Sequence, residues 1–498
     1  MKLQAILDSI ERAGNKLPNP AMLFVYLCLT VLLVSAICAA LAVEVIHPLD
    51  GKTIAAVNLL SVAGLHRILL ESVTNFTGFA PVGTVLVAIM GVGIADHSGL
   101  LKAMLRATVL KAPRQFLSFI IVFTGVMSSM AVDTGYVVLI PLAAVVFASA
   151  GRHPLAGIAA AFAGVSGGFS ANLLIGPVDA LLGGISTEAA ALVQPGYEVT
   201  AAANYYFMVA STVLLSLLGT WVTEKLVIPR LPVSKDTGED QSEQISAAES
   251  RGLKYVAAFT ALFVGVLLAG LLPGDGVLRD PQTGGVLTSP FIKGIVTIIA
   301  FYAALAGILY GRVSGSYQRT SDFVDGMEQN MATMAGYLVL MFFAAQFVSY
   351  FSWSNLGSII AISGAKLLEQ LHLNQSFLLV SFIPLVAFIN LFIGSASAKW
   401  ALIAPVFVPM FLLSGISPEA TQVAYRIGDS STNIITPLMP YFGVVVAFAR
   451  KHDPSTGIGT IIAIMLPYSV SFLIGWSLFL LLWILLGIPI GPGASVFI

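Results

Sequence analysis

Charge is what this chain has least of. Only 10% of its 498 residues are Asp, Glu, Lys or Arg, against roughly 25% in soluble domains. Hydrophobic residues make up 57%, and mean hydropathy is +0.92. A soluble core cannot absorb that imbalance, so the composition predicts a polytopic integral membrane protein with the lipid bilayer as its surroundings. Cysteine is scarce as well. Cys28 and Cys38 both fall in the first apolar run, which excludes a disulfide framework or thiolate metal centre and leaves two small apolar fillers. Net charge is -1, with the basic residues in short clusters between apolar runs. Nothing here suggests a nucleic-acid partner, and the clusters read as topology signals. With no Walker-type phosphate loop and no HExxH zinc motif, neither an ATP-driven pump nor a membrane hydrolase has support, and no enzyme or cofactor is expected.

What the chain has in abundance is apolar run length. Residues 21–43 exceed a signal-peptide core and match a bilayer span, so they are expected to form the first membrane helix. Further runs start near residues 81, 154, 203, 252, 290, 335, 419 and 458, giving nine expected spans. Two other stretches, 115–150 and 376–414, are interrupted by "GVMSSMAVDTGY" and "INLFIGSASAKW". They read as re-entrant hairpins, because irregular backbone at that depth must be buried in protein or line a cavity. Lys2, Arg12 and Lys16 place the N-terminus in the cytoplasm, and Lys102, Arg106, Arg114 and Arg152 place both flanks of the first hairpin there.

Laying residues 133–154 over 397–418 matches Tyr136 with Trp400, Pro141 with Pro405, Gly151 with Gly415 and Pro154 with Pro418. Beyond them, "SANLLIGP" (170–177) meets "STNIITP" (431–437). Two hairpin-plus-broken-helix units entering from opposite sides are what an inverted transporter repeat predicts. The expected fold class is therefore all-α and polytopic: nine transmembrane helices plus two re-entrant hairpins in an inverted repeat, with broken helices at the midplane. The first membrane half would be 1–230, with hairpin 115–150 and broken helix 154–185. A cytoplasmic linker, 231–250, would lead to a second half, 251–498, with hairpin 376–414 and broken helix 419–449.

Ionisable groups at lipid depth are costly and are functional candidates by default. Arg426 and Asp429 lie three apart, hence on one helix face. They are either an ion pair with each other, or a site in which Arg426 binds a substrate carboxylate while Asp429 binds a cation or proton. The helix is expected to break at "DSSTN" beside them, freeing backbone groups, which favours the site. Asn390, Gly394 and Ser395 at the second hairpin tip, with Asp429 and Ser431, are either oxygen donors to a sodium ion, coupling or structural, or hydrogen-bonding glue between helices. Trp400 is either an aromatic platform or packing, and Lys399 either lies at the pore or snorkels to the interface. Asp133 and Asp179 have no carboxylate at their repeat-equivalent positions, Ser397 and Met439, and either distinguish substrate from coupling ion or cap helices. Ser128, Asn172 and Asn433 are further polar candidates, whereas Asp96 and His97 are expected at an interface.

The segments "NLFIGSASAKWALIAPVFVPMF" and "ISPEATQVAYRIGDSSTNIITPLMPYF" resemble the AbgT family of bacterial p-aminobenzoyl-glutamate transporters, a likeness that runs over essentially the whole chain. That resemblance implies a homodimeric inner-membrane carrier acting on small aromatic carboxylates, sulfonamide antimetabolites included. It places Asn390, Trp400, Pro418, Arg426, Asp429 and Asp179 at the site. The competing readings are a sodium-coupled dicarboxylate or citrate symporter of the same architecture, and an ion channel.

Overall fold

The computed structural model describes residues 20–46, 51–110, 113–130, 135–231, 245–286, 289–439 and 441–498. Lys2, Arg12, Lys16, Asp133 and most of the expected linker lie outside the described residues.

The first described helix, α1 (Pro20–Ala40), is followed by a short antiparallel pair, β1 (Glu44–Ile46) and β2 (Thr53–Ala55), which the sequence reading did not anticipate. Asn355 Nδ2 donates to Ala55 O at 2.8 Å, pinning this pair to a distant helix start. Helices α2 (Val62–Thr77), α3 (Ala80–His97) and α4 (Leu100–Leu110) follow. The first interrupted stretch folds into α5 (Leu117–Met127) and α6 (Ile140–Ser149). Next come α7 (Pro154–Phe162), a break, α8 (Pro177–Ala190) and α9 (Tyr205–Val222). Beyond the linker lie α10 (Ala247–Leu271), α11 (Ile295–Ser314), the amphipathic α12 (Asp322–Ala332), α13 (Ala335–Trp353) and α14 (Leu356–Gln370). The second interrupted stretch forms α15 (Gln375–Asn390) and α16 (Ala396–Leu413), and the chain finishes with α17 (Pro418–Asn433), α18 (Phe442–His452) and α19 (Ile458–Leu485). Among the described residues, 8 helices are long and apolar enough to cross a membrane, or up to 10 if each bent pair is one span. The expected spans near residues 154 and 419 are not among these eight, whereas Ala396–Leu413, expected inside a hairpin, is.

Besides a small cluster of Ala88, Ala180, Ile295 and Val296 that joins α3 and α11 to α8, packing forms two hydrophobic groups. In one, α3, α10 and α11 close around Ala95, Ala103, Val256, Ala306 and Tyr310. Helix α10 turns most of its surface outward, with 11% of its apolar window buried, as expected of a helix solvated by lipid rather than by protein. The other group is a single continuous core running through both hairpins and both interrupted segments.

Pro154 and Pro418 occupy the first turns of α7 and α17, where a missing N–H costs nothing and the fixed φ suits the helix. Three residues before each, Gly151 and Gly415 take φ of +74° and +80°, a left-handed conformation that closes the preceding helix and that side chains disfavour. After α7 the chain makes a wide helical turn, Ala163–Gly167, then runs irregularly to Pro177. After α17 it is interrupted until Phe442. This second break falls later than "DSSTN": α17 continues through Asn433. Ser431 and Thr432 donate back to Ile427 O (2.6 Å) and Gly428 O (3.0 Å), so these hydroxyls are satisfied inside the helix. Pro437, just beyond, is the residue that cannot continue it. The start of α17 is braced from far along the chain, with Ser417 N donating to Val496 O at 3.0 Å and Ser417 Oγ to Ser495 O at 2.7 Å.

Candidate functional site

Helix α17 is polar, yet all 16 of its residues are buried. It starts cleanly because Ser417 Oγ accepts from Ala420 N at 3.1 Å with Pro418 next in line. It sits close against α15 because Gly428 has no side chain: a Cβ there would lie 2.5 Å from Ile383 O. That approach delivers Arg426 and Asp429 to different neighbours.

Arg426 and Asp429 do not pair with each other. Arg426 Nη2 meets Asp179 Oδ1 at 2.6 Å and donates to Ser170 O at 2.9 Å, while Nη1 reaches Asn204 Oδ1 at 3.4 Å. Asp179 stands in the first turn of α8, where it also accepts from Gly176 N at 2.7 Å, a favourable place for an anion. Asp429 Oδ1 instead accepts from Lys399 Nζ, which also donates to Asn390 Oδ1. Lys399 is 0% exposed, so it neither snorkels nor lines an open pore. A buried charge demands an opposite partner with good geometry, and α17 satisfies that demand twice, once toward α8 and once toward the second hairpin.

Asn390 closes the second cluster. Its Nδ2 lies 2.6 Å from Asp429 O, 2.8 Å from Thr432 Oγ1 and 2.9 Å from Asn433 Oδ1, two protons shared among three acceptors. Of the oxygens expected to hold sodium, Asn390 Oδ1 and Asp429 Oδ1 both face the Lys399 ammonium. Ser395 Oγ caps Ala398 N at 3.3 Å, and Ser431 is bonded within its own helix. Gly394 lies against the second break, where a Cβ would come 2.5 Å from Leu438 O. In this arrangement the Lys399 ammonium occupies the oxygens Asn390 Oδ1 and Asp429 Oδ1, so a further cation would have to compete with it for them. Among the described residues, no group of three His, Cys, Asp or Glu side chains could hold a metal.

The Trp400 ring is 0% exposed and packs on Tyr425 with centroids 4.4 Å apart. Its Nε1 donates to Ser186 Oγ at 3.1 Å. Ser186 Oγ is 2.7 Å from Gln422 Oε1, and Gln422 Nε2 donates to Asn204 Oδ1 at 2.9 Å. A continuous hydrogen-bonded chain thus links the indole to the Arg426 guanidinium through Ser186, Gln422 and Asn204. Sequence reasoning passed over these three and Tyr425. The available signal was Gln422, one turn before Arg426 on the same face of a helix at lipid depth.

The remaining candidates lie apart. Ser128 Oγ donates to Gly125 O at 2.6 Å, and Asn172 Nδ2 to Ser129 Oγ at 2.7 Å, both bracing the first hairpin. Asp133 is outside the described residues. His97 Nδ1 contacts Tyr317 Oη at 3.2 Å, in the α3 group and away from the site. One Gly-x-Ser-x-Gly string does occur, at Gly164–Gly168. Ser166 there sits in a helical turn against Met439 Sδ at 3.8 Å, not on the strand-to-helix elbow of a hydrolase.

Hairpins, interrupted helices and buried charges bridging them define a multi-pass membrane transporter, not an enzyme. The chain belongs to the AbgT family: residues 5–498 match the model of the AbgT putative transporter family. It is 39% identical over 484 residues to the p-aminobenzoyl-glutamate transport protein of Escherichia coli (strain K12), covering 97% of this chain and 95% of that one. Two crystallised or otherwise solved relatives share the fold. The Alcanivorax borkumensis YdaH transporter, described as having an unusual topology, superposes with a TM-score of 0.92 at 53% identity, over 95% of this chain and 100% of that one. Neisseria gonorrhoeae MtrF, described with a class of antimetabolite efflux pumps, superposes with a TM-score of 0.93 at 48% identity, over 98% and 100%.

Proposed function

We propose that this chain is a secondary-active carrier of p-aminobenzoyl-glutamate or related p-aminobenzoate-like aromatics, sulfonamide antimetabolites included, driven by a proton or sodium gradient. The observation that carries the reading is the Arg426–Asp179 pair, which joins the two interrupted segments through a single guanidinium. A substrate carboxylate is the natural replacement for Asp179 on Arg426, because both present the same planar pair of oxygens to the fork. The Trp400–Tyr425 pair walls the site and supplies the apolar surface for the substrate ring once the second hairpin moves. Asp429, with Lys399 and Asn390, is the coupling cluster, since a cation arriving there has to compete with an ammonium already in place.

Alternating access follows as movement of the continuous core against the α3–α10–α11 group. The chain works as two membrane halves, 1–230 and 251–498, in a homodimer of the bacterial inner membrane with its N-terminus in the cytoplasm. The test is flux of radiolabelled p-aminobenzoyl-glutamate and p-aminobenzoate in proteoliposomes with proton and sodium gradients imposed separately. Saturable, gradient-driven flux is expected. Non-saturating current in a planar bilayer, or flux of citrate with no preference for aromatic acids, would sink the reading.

A further inference from the structure

Several buried polar atoms in the described residues lack a hydrogen-bond partner, and three of them are Arg426 Nε and the hydroxyls of two residues tied to Arg426 by a backbone contact or by helix spacing, Ser170 Oγ and Ser430 Oγ. Ser430 lies one turn after Arg426 and on the same face of α17. Ser170 stands in the first break, and its own carbonyl oxygen accepts from Arg426 Nη2 at 2.9 Å. Ser170 is 2% exposed and Ser430 0%, so neither hydroxyl reaches bulk water. Buried donors left unpaired cost stability, and a fold that keeps three of them gains nothing from them by itself.

We propose that Ser170 Oγ, Ser430 Oγ and Arg426 Nε form a subsite for the anionic head of the substrate, a two-oxygen carboxylate that accepts from all three. The proposal rests on reading Arg426 as the carboxylate-binding residue and adds the groups that make the subsite selective. A guanidinium N–H can only donate, so a carboxamide, which replaces one acceptor oxygen with an NH2, meets a donor with a donor. The two serines come from different interrupted segments, so the subsite is complete only when α17 and the first break are in contact.

The test pairs p-aminobenzoate with p-aminobenzamide as probes in proteoliposomes holding the full chain, and follows the ligand-free melting temperature alongside. Ser170→Ala and Ser430→Ala each remove an unpaired hydroxyl, so both variants are expected to melt at or above the wild-type temperature. Each should raise KM for p-aminobenzoate about tenfold while leaving kcat and the KM for the amide near wild type. Stability and carboxylate affinity then move in opposite directions, which a purely structural serine would not produce. The proposal is overturned if either variant melts lower, or if the acid-to-amide preference stays at its wild-type value. Arg426→Met separates the two levels. Preference lost there but kept in both serine variants overturns only this subsite, whereas preference kept in all three, or a wild type that carries neither probe, overturns the Arg426 reading as well.

Discussion

The two interrupted segments, Pro154–Ala190 and Pro418–His452, begin alike and are built from opposite materials. In the first, α7 is an apolar run of small residues; its break contributes the Ser170 carbonyl oxygen, and one charge follows it, Asp179, held by the Gly176 amide at the start of α8. In the second, α17 contributes charge, Arg426 toward the first segment and Asp429 toward the second hairpin. The difference shows how a membrane protein keeps charge at depth without solvating it: every ionic partner sits on another element, so the helix that carries the chemistry cannot be satisfied alone.

Cutting the link between the segments should have the largest effect. Arg426→Met strands Asp179, and breaking a buried pair costs about 3–5 kcal/mol, so a large drop in melting temperature is expected with near-complete loss of carboxylate flux. Adding Asp179→Asn should recover the melting temperature but not the flux, and recovery of both would show that the pair is only structural. Cutting the other link comes next. Asp429→Asn should abolish the response of flux to an imposed cation gradient, and Lys399→Met on that background should restore stability without restoring the response. Unchanged gradient-driven flux in Asp429→Asn would remove Asp429 from coupling.

The close contact beneath both links is probed by Gly428→Ala, whose new methyl would meet Ile383 O at 2.5 Å and Val386 Cβ at 2.8 Å. Overpacking of this kind costs about 1–3 kcal/mol, read as a lower melting temperature with Arg426 and Asp429 intact. The smallest effect belongs outside the comparison. Asp322, the first residue of α12, accepts from Arg319 N and Gln318 N and pairs with the Arg319 guanidinium, which hold its carboxyl below the ordinary 3.8. A depressed carboxyl stabilises the fold above about pH 4 and loses that contribution as pH falls through its folded value. Asp322→Asn should therefore flatten the acid limb of the melting curve and leave pH 7 flux alone.

Much of this was legible in the residues. Pro154 and Pro418, the glycines before them and the polar interruptions marked the hairpins and breaks because helix termination is local chemistry. Five of the six principal candidates, Asp179, Asn390, Trp400, Arg426 and Asp429, do converge, with Pro418 opening the helix that carries two of them. Partner choice was not legible. Asp179 lies 247 positions from Arg426, and no periodicity predicts which distant carboxylate a guanidinium will meet. Lys399 beside Trp400 reads equally as interface or interior until the burial of α16 is known. "DSSTN" looked like a break because Ser, Thr and Asn favour turns, but their hydroxyls can bond to the preceding turn and leave the helix intact.

The brace on Ser417 has a consequence for how the protein is made. Helix α17 is not among those apolar enough to enter a bilayer by themselves, and its first turn is held by Ser495 and Val496, 78 and 79 positions further along. The brace on Ser417 cannot close until residue 496 has been made, so the helix that carries Arg426 and Asp429 owes its anchored start to chain synthesised long after it.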